Sequence, residues 1–183
     1  EDTDITVQMR KLIALNPDVI ACTAAGTTSI LAVRTANRLG YKGPVGVTHA
    51  DSSLSFVDGV KELPAGSSLT PTRSGCLPQY VDAMPAGPPR EYGLKIMDEW
   101  KKKFGAVKDV EMGSWGYEFV DNYCQAFRDV GRDRAAIKNW LESKTILQSS
   151  GHIKMSPTDH LGSDPKTWVA VLTVKGGEFI PAP

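Results

Sequence analysis

The chain has 183 residues, of which 41% are hydrophobic and 23% are charged, a composition typical of a globular protein of one or two compact units. Basic and acidic residues number 21 each, so the formal net charge is zero. A nucleic-acid-binding surface normally carries an excess of positive charge, so no nucleic-acid partner is expected. The sequence also lacks a run of about 18 apolar residues that would predict a membrane-spanning helix.

Helices and short strands alternate in the first part of the chain. Apolar spacing and turn residues predict helices at residues 5–13, 30–39 and 52–62 and strands at 19–22, 45–47 and 67–70. Asp4 is placed to cap the first helix, and Gly26 to Ser29 form the turn that opens the second helix. This alternation with short loops predicts an α/β fold built on a parallel sheet.

The middle of the chain changes character twice. Residues 71–89 contain five prolines and no apolar period, which predicts a linker or crossover. Helices are then predicted at 92–104, at 115–130 and after Asp133, which is placed to cap the third. The helix at 115–130 is apolar on more than one face, which favours a helix sandwiched in a core.

The tail predicts a sheet edge that forms late in the chain. A strand at 151–155 is followed by a polar turn at 156–165 and an apolar strand at 167–174, and Gly176-Gly177 predicts a hairpin turn before 179–180. Cys22, Cys76 and Cys124 lie far apart without a Cys-x-x-Cys pair. Buried free thiols are the default interpretation, and we predict neither a metal site nor a cofactor.

Four local patterns, in order, give the chain a resemblance to a known family. They are Asp4 to Ile20 with Arg38-Leu-Gly-Tyr-Lys-Gly-Pro44, then Trp100-Lys-Lys-Lys-Phe-Gly105, then Gly116-Tyr117-Glu with Gly131-Arg-Asp-Arg-Ala135, and finally Gly151 to Gly162 with Gly176-Gly177. Together they resemble the periplasmic solute-binding proteins of the branched-chain amino-acid type, which serve ABC importers.

The resemblance implies the type I periplasmic-binding-protein fold, an α/β fold with three-layer lobes on parallel sheets. Such proteins are considerably longer, and the resemblance implies that this chain is a C-terminal half. Residues 1–85 and 146–183 would then belong to the second lobe, and the helices of residues 86–145 to the first. We expect the missing N-terminal half, or a dimer partner, to cover the apolar helix faces that remain.

The resemblance further implies an extracytoplasmic protein, periplasmic or tethered to the membrane, that is not an enzyme. It would bind a small polar or amphipathic molecule between two lobes and deliver it to a membrane permease. Two alternatives stay open at this point: a ligand-sensing regulatory domain on the same fold, and an α/β enzyme that uses His49 or His160.

Two loops follow strands of the predicted sheet and are candidate ligand-binding segments, because ligands of open parallel sheets bind beyond the carboxyl ends of strands. In the first, Thr23, Ala24, Ala25 and Thr27 precede a helix whose free amides could hold a carboxylate. In the second, Thr48, His49 and Asp51 lie where the family pairs an acidic residue with the ligand's ammonium group. The alternatives are an ordinary helix start and a histidine that makes an ordinary hydrogen bond.

A third candidate is the segment 111–114, read as a loop, from which Met112 would line the pocket or simply fill a core gap. In the tail, His152, Asp159, His160 and Asp164 match no common metal-ligand spacing. We therefore interpret these residues as turn chemistry rather than as a metal or acid–base site.

Overall fold

The computed structural model describes residues 4–72, 75, 81, 84–105, 110–163 and 169–182, without the side chains of 110–112. In chain order the elements are α1 (Thr6–Ile13), β1 (Ile20–Ala21), α2 (Thr27–Arg38), β2 (Val45–Gly46), a 3₁₀ turn (His49–Asp51), α3 (Leu54–Val60), β3 (Ser68–Thr72), α4 (Pro88–Phe104), α5 (Val110–Val130), α6 (Arg134–Ser143), β4 (Thr145–Gln148), β5 (Gly151–Lys154), β6 (Ala170–Lys175) and β7 (Glu178–Pro181). The chain divides into two compact units. Residues 1–72 and 170–183 form the sheet unit, and residues 73–169 form the helical unit.

The sheet unit contains a five-stranded sheet in the order β1-β2-β3-β6-β7. Strands β1, β2 and β3 are parallel neighbours, which confirms the predicted α/β alternation. Strand β6 runs antiparallel to β3, and β7 runs antiparallel to β6. Strand β6 therefore runs opposite to β1, β2 and β3, and the hairpin at Gly176-Gly177, which was predicted from the sequence, connects it to β7.

Helices α2 and α3 supply much of the core of the sheet unit. Phe56, Val57 and Val60 of α3 are buried, as are Val33 and Ala36 of α2. The buried residues of α3 recur at spacings of three and four, the period that places them on one helix face. The N-cap residue of α1 is Ile5 and not the predicted Asp4, although Asp4, one residue earlier, accepts a hydrogen bond from the backbone N–H of Thr6 at 2.8 Å.

In the helical unit, α5 packs against α6, and β4 and β5 form a two-stranded antiparallel sheet that α4 contacts at β4 and α6 contacts at β5. Its core cluster comprises Ala126, Ile137, Trp140 and Ile146, with Tyr123, Leu141 and Ile153 packed against it. Asp133 caps α6 by accepting a hydrogen bond from the backbone N–H of Ala136 at 2.8 Å, which confirms that prediction.

The predicted proline-rich linker is wrong at both ends. Pro71 lies within β3 and pairs with Val171 of β6, while Pro88 begins α4. A proline fits the first turn of a helix, where its missing N–H has no partner to lose. Val81, inside the same stretch, is helical and buried, and residues 73–74, 76–80 and 82–83 lie outside the described residues.

The tail contributes to two sheets rather than one. Strand β5 pairs with β4, which was not predicted from the sequence. Strands β6 and β7 join the five-stranded sheet. The start of the predicted strand at 167–174 and the end of the polar turn fall on residues 164–168, outside the described residues. The predicted lobe boundaries at residues 85 and 146 remain a prediction, and the two compact units divide after residues 72 and 169.

The cysteines were expected to be buried free thiols, and no membrane-spanning helix was expected. Cys22 and Cys124 are free and half-buried, and Cys76 lies outside the described residues. Within the described part of the chain, no helix combines the length and apolar character needed to cross a membrane.

Candidate functional site

The two candidate loops of the sheet unit leave the same edge of the sheet. Strands β1 and β2 pair in parallel, with Ile20 opposite Val45 and Ala21 opposite Gly46. The backbone N–H of Cys22 still donates to the carbonyl of Gly46 at 2.7 Å, so the pairing extends to the point where the first loop begins. The segment after β1 and the segment after β2 therefore start side by side, as predicted from the sequence.

A buried carboxylate ties these two loops together. Asp51 has 0% of its surface exposed, and its Oδ1 accepts hydrogen bonds from the backbone N–H of Gly26 at 2.8 Å and from Ser29 Oγ at 2.7 Å. Thr48 Oγ1 lies 3.4 Å from the other oxygen, Oδ2. No ion pair joins Asp51 to a basic side chain among the described residues, so hydrogen bonds compensate its desolvation.

The start of α2 has an amide with no partner within the helix and no capping side chain of its own, which explains the position of the Asp51 carboxylate. Gly26 is the N-cap residue of α2, with a φ of 68° that favours glycine, and it has no side chain of its own for capping. The amide dipoles at a helix N-terminus favour a negative charge. Asp51 supplies that charge from the 3₁₀ turn that follows β2, 25 residues along the chain. It accepts the hydrogen bond of Gly26 at the helix start where the sequence analysis expected a ligand carboxylate.

The other predicted site residues lie in the same two loops as Asp51 or its partners, and they are more exposed than Asp51. Thr23, Ala25, Thr27 and His49 are exposed, and Ala24 and Thr48 are half-buried. We call these exposed and half-buried residues the rim, and Asp51 of the same two loops is fully buried. The binding roles assigned to Thr23, Ala24, Ala25, Thr27, Thr48, His49 and Asp51 remain predictions.

Ser29 was placed in the turn that opens α2 but was not named as a site residue, and it is buried. Its hydroxyl lies 2.8 Å from the carbonyl oxygen of Gly26 and 2.7 Å from Asp51 Oδ1. The spacing of Gly26 and Ser29 at the start of a helix, together with an aspartate after the next strand, is the signal that could have indicated this cluster.

The third candidate segment is not a loop. Residues 111–114 lie inside α5, which begins at Val110, and the side chain of Met112 lies outside the described residues. Gly113 has a packing reason within this helix: a Cβ there would overlap the ring of Trp100 on α4. The glycine therefore permits close helix packing instead of ending a helix.

Of the four tail residues, Asp159 and His160 make local side-chain contacts within the helical unit, His152 lies in β5 opposite Leu147, and Asp164 lies outside the described residues. Asp159 Oδ1 accepts hydrogen bonds from the backbone N–H groups of Leu161 and Gly162, which is turn chemistry. His160 Nε2 lies 2.8 Å from Glu142 Oε1, and Lys138 and His160 lower the pKa of Glu142. Within the described ranges, no cluster of three histidine, cysteine or acidic residues could hold a metal ion.

The helical unit also exposes an aromatic surface, which we call the α5 face: Phe119, Val120, Tyr123 and Phe127. Phe119 is 62% exposed, and its ring lies 4.7 Å from that of Tyr123, which is 6.1 Å from that of Phe127. A groove of about 500 Å³ beside this face is lined by Phe119, Tyr123 and Ile153, among others. The expectation that this helix is sandwiched is not met by the described residues of this chain.

Solved structures provide comparisons for the whole chain. An extracellular ligand-binding receptor from Rhodopseudomonas palustris HaA2 matches with a TM-score of 0.81 and 22% identity over 100% of this chain and 52% of its own. A leucine-binding protein from Thermotoga maritima matches with a TM-score of 0.76 and 21% identity over 100% of this chain and 48% of its own. A type 1 periplasmic binding protein from Bordetella pertussis Tohama I matches with a TM-score of 0.76 and 21% identity over 100% of this chain and 50% of its own.

No protein-family model and no curated protein matches the sequence. At these identities the structural likeness establishes the fold, and function has to be argued from the site. The chain spans about half the length of the solved structures that it matches. Over that length it has the fold of the type I periplasmic binding proteins, with the mixed sheet and flanking helices found here.

Proposed function

We propose that this chain is part of an extracytoplasmic solute-binding protein that captures a small polar or amphipathic molecule, such as an amino acid or an organic acid, for an ABC importer. The observation that carries the proposal is the pair of loops after β1 and β2, which Asp51 holds together at one sheet edge. This is the position where open parallel sheets bind ligands, and the structural neighbours include a ligand-binding receptor and a leucine-binding protein.

The rim residues suit a small polar solute. Thr23 and Thr27 offer exposed hydroxyl groups and His49 an exposed imidazole, all of which can donate or accept hydrogen bonds. Capture by closure of two lobes, and delivery to a membrane permease, are the finer parts of this proposal.

A thermal-shift screen against amino acids and small organic acids tests the proposal. At least one solute is expected to raise the melting temperature, and calorimetry then measures its affinity. Thr27→Trp, which fills the rim, should abolish binding. The matched control is Ala65→Trp, an exposed position in the turn before β3, which should leave binding unchanged. Failure of every solute to bind, or equal effects of the two variants, would contradict the proposal.

We also infer that the α5 face is covered by the polypeptide that completes the fold. Contiguous exposed aromatic residues on a soluble protein mark an interaction surface, and this chain accounts for about half of its structural neighbours. Phe119 and Phe127 would then pack against apolar residues of that other half.

Fluorescence of an apolar dye tests this cover. The chain alone should bind the dye, and Phe119→Asp should reduce the signal. Leu161→Asp, at a position that is 65% exposed in the same unit, should leave the signal unchanged. Light scattering measures the oligomeric state of the chain. A dimer that Phe119→Asp dissociates would show that a second copy covers the α5 face, and would contradict its cover by the rest of the fold.

A further inference from the structure

The groove beside the α5 face contains a buried side-chain amide without a hydrogen-bond partner. Asn122 lies on α5 and is 9% exposed, and its amide bonds to no other residue in the part of the chain that the structure describes. It lines the groove together with Phe119 and Tyr123 of the α5 face. A buried amide that lacks a partner is destabilising, so a group that occupies the groove and bonds to Asn122 would remove this penalty.

Two further polar side chains line the same groove. Gln148, the last residue of β4, is half-buried, and its side chain makes no hydrogen bond to the described residues either. The buried carboxylate of Glu118 accepts a hydrogen bond from the backbone N–H of Ser149. Apolar side chains such as Ile153 form most of the remaining wall. The groove therefore presents two neutral amides and one negative charge within apolar surroundings.

The two amides are suited to peptide groups. An asparagine or glutamine side chain offers two N–H donors and one carbonyl acceptor, and a peptide group offers one donor and one acceptor. Inside a helix these main-chain groups are already paired, so the matching segment is a strand edge, a loop or a helix end. An acidic side chain is disfavoured on this segment, because the Glu118 carboxylate lines the groove and like charges repel.

The extent of the exposed apolar surface favours a polypeptide over a small solute. The groove of about 500 Å³ is large enough for a small molecule. Val120 and Phe127 of the α5 face, however, are exposed and do not line the groove, so a small molecule would leave them in contact with water. This chain aligns over its whole length with about half of each structural neighbour. In a protein of that length, the other half supplies enough polypeptide to cover both the groove and the α5 face.

We propose that a main-chain segment of the polypeptide that completes the fold fills this groove. One peptide group of the segment bonds to the amide of Asn122, and an apolar side chain next to that peptide group packs against Phe119 and Ile153. Asn122 is thus the polar anchor of an otherwise apolar interface. The inference rests on the proposed cover of the α5 face, and it is independent of the loops assigned to the solute.

N-acetyl-leucine-N-methylamide is a suitable probe, because it is uncharged and combines peptide groups with one apolar side chain. Titrated into the isotopically labelled chain, it should shift the side-chain amide resonances of Asn122 and the backbone amide of Ile153. Asn122→Leu keeps a similar size but removes the hydrogen bond, so it should weaken binding of the probe at least about threefold. The matched control Asn139→Leu, at an exposed position of α6, should change binding by less than about twofold. N-acetyl-leucine, which carries a carboxylate, should bind at least about threefold more weakly than the probe.

The melting temperature tests whether the amide has a partner in the chain alone. Asn122→Leu should melt at the wild-type temperature or above it, because the substitution removes no hydrogen bond from the chain. A fall of about 4 °C or more would show that the amide is already bonded and would overturn the inference. If Asn122→Leu does not fold, Asn122→Ser removes the amide with less added bulk and replaces it in the titration.

Three other results would contradict the proposal. The first is a probe that leaves the Asn122 resonances unshifted, and the second is equal affinity of the probe for Asn122→Leu and the wild type. The third is a dimer in light scattering that Asn122→Leu dissociates, which would show that a second copy fills the groove. A thermal-shift screen in which no solute binds would count against the proposed function and would leave the outcome of the titration unaffected.

Discussion

The hydrogen bond between Ser29 and Asp51 should be strong only because Asp51 is charged, and a double-mutant cycle can measure this. Ser29 Oγ lies 2.7 Å from Asp51 Oδ1 in a buried environment. A hydrogen bond to a charged group contributes about 2 kcal/mol, whereas a neutral one contributes about 1 kcal/mol. Ser29→Ala should therefore cost about 2 kcal/mol in the wild type and about 1 kcal/mol in the Asp51→Asn background, a coupling of about 1 kcal/mol.

Urea denaturation followed by circular dichroism gives the four free energies of unfolding, and hydrogen exchange of the peptide that covers the start of α2 shows where protection is lost. The matched control is Ser67→Ala, because Ser67 Oγ donates to the neutral carbonyl of Pro64 at 2.7 Å on the exposed surface. Its cost should be the same in both backgrounds within about 0.5 kcal/mol. A Ser29→Ala cost that Asp51→Asn leaves unchanged would show that the charge of Asp51 does not strengthen this hydrogen bond.

Three further outcomes follow from packing and charge. Phe56→Ala should lower the free energy of unfolding by about 3–5 kcal/mol because Phe56 is 1% exposed. Leu54→Ala, at a 37% exposed position of the same helix, should lower it by less than about 1 kcal/mol. Equal losses in urea denaturation would contradict the assigned core. Glu118→Gln should lower the free energy of unfolding by about 1–3 kcal/mol, because the buried Glu118 carboxylate accepts from the backbone N–H of Ser149 at 2.6 Å; an unchanged urea midpoint would argue against this contact. Burial, and to a lesser extent the hydrogen bond to the Asp121 carboxylate, raises the pKa of Tyr92 above its ordinary value of 10.0. The protonated Tyr92 side chain therefore contributes stability that is fully present below pH 10.0 and is lost as the pH rises further. An absorbance titration of Tyr92→Phe should lack one late-titrating phenol, and a curve that superimposes on that of the wild type would exclude this shift.

Local sequence patterns were sufficient for most elements of the sheet unit. The apolar spacing before Gly40 predicted α2, and the β-branched runs at 19–22 and 45–47 predicted β1 and β2. These segments combine a clear period with clear terminating residues, so propensity and packing favour the same structure. The prediction that the loops after β1 and β2 start side by side followed from these strands, because neighbouring parallel strands end on the same side of a sheet.

Where the prediction failed, tertiary contacts decided the structure. Pro71 reads as a breaker, yet β6 pairs with it from 100 residues further along the chain. The segment 111–114 was read as a loop, yet it is helical, and at Gly113 the ring of Trp100 on α4 occupies the space that a side chain would need. The burial of Asp51 could not be predicted either, since it depends on how the start of α2 meets the loop after β2.

Amide chemical-shift mapping with the best solute of the thermal-shift screen locates the bound solute on the chain. The perturbed amides should cluster at residues 23–29 and 48–51, the two loops that Asp51 joins. Perturbations confined to the groove beside Phe119, or spread evenly over the chain, would contradict the assignment of the solute to this edge of the sheet.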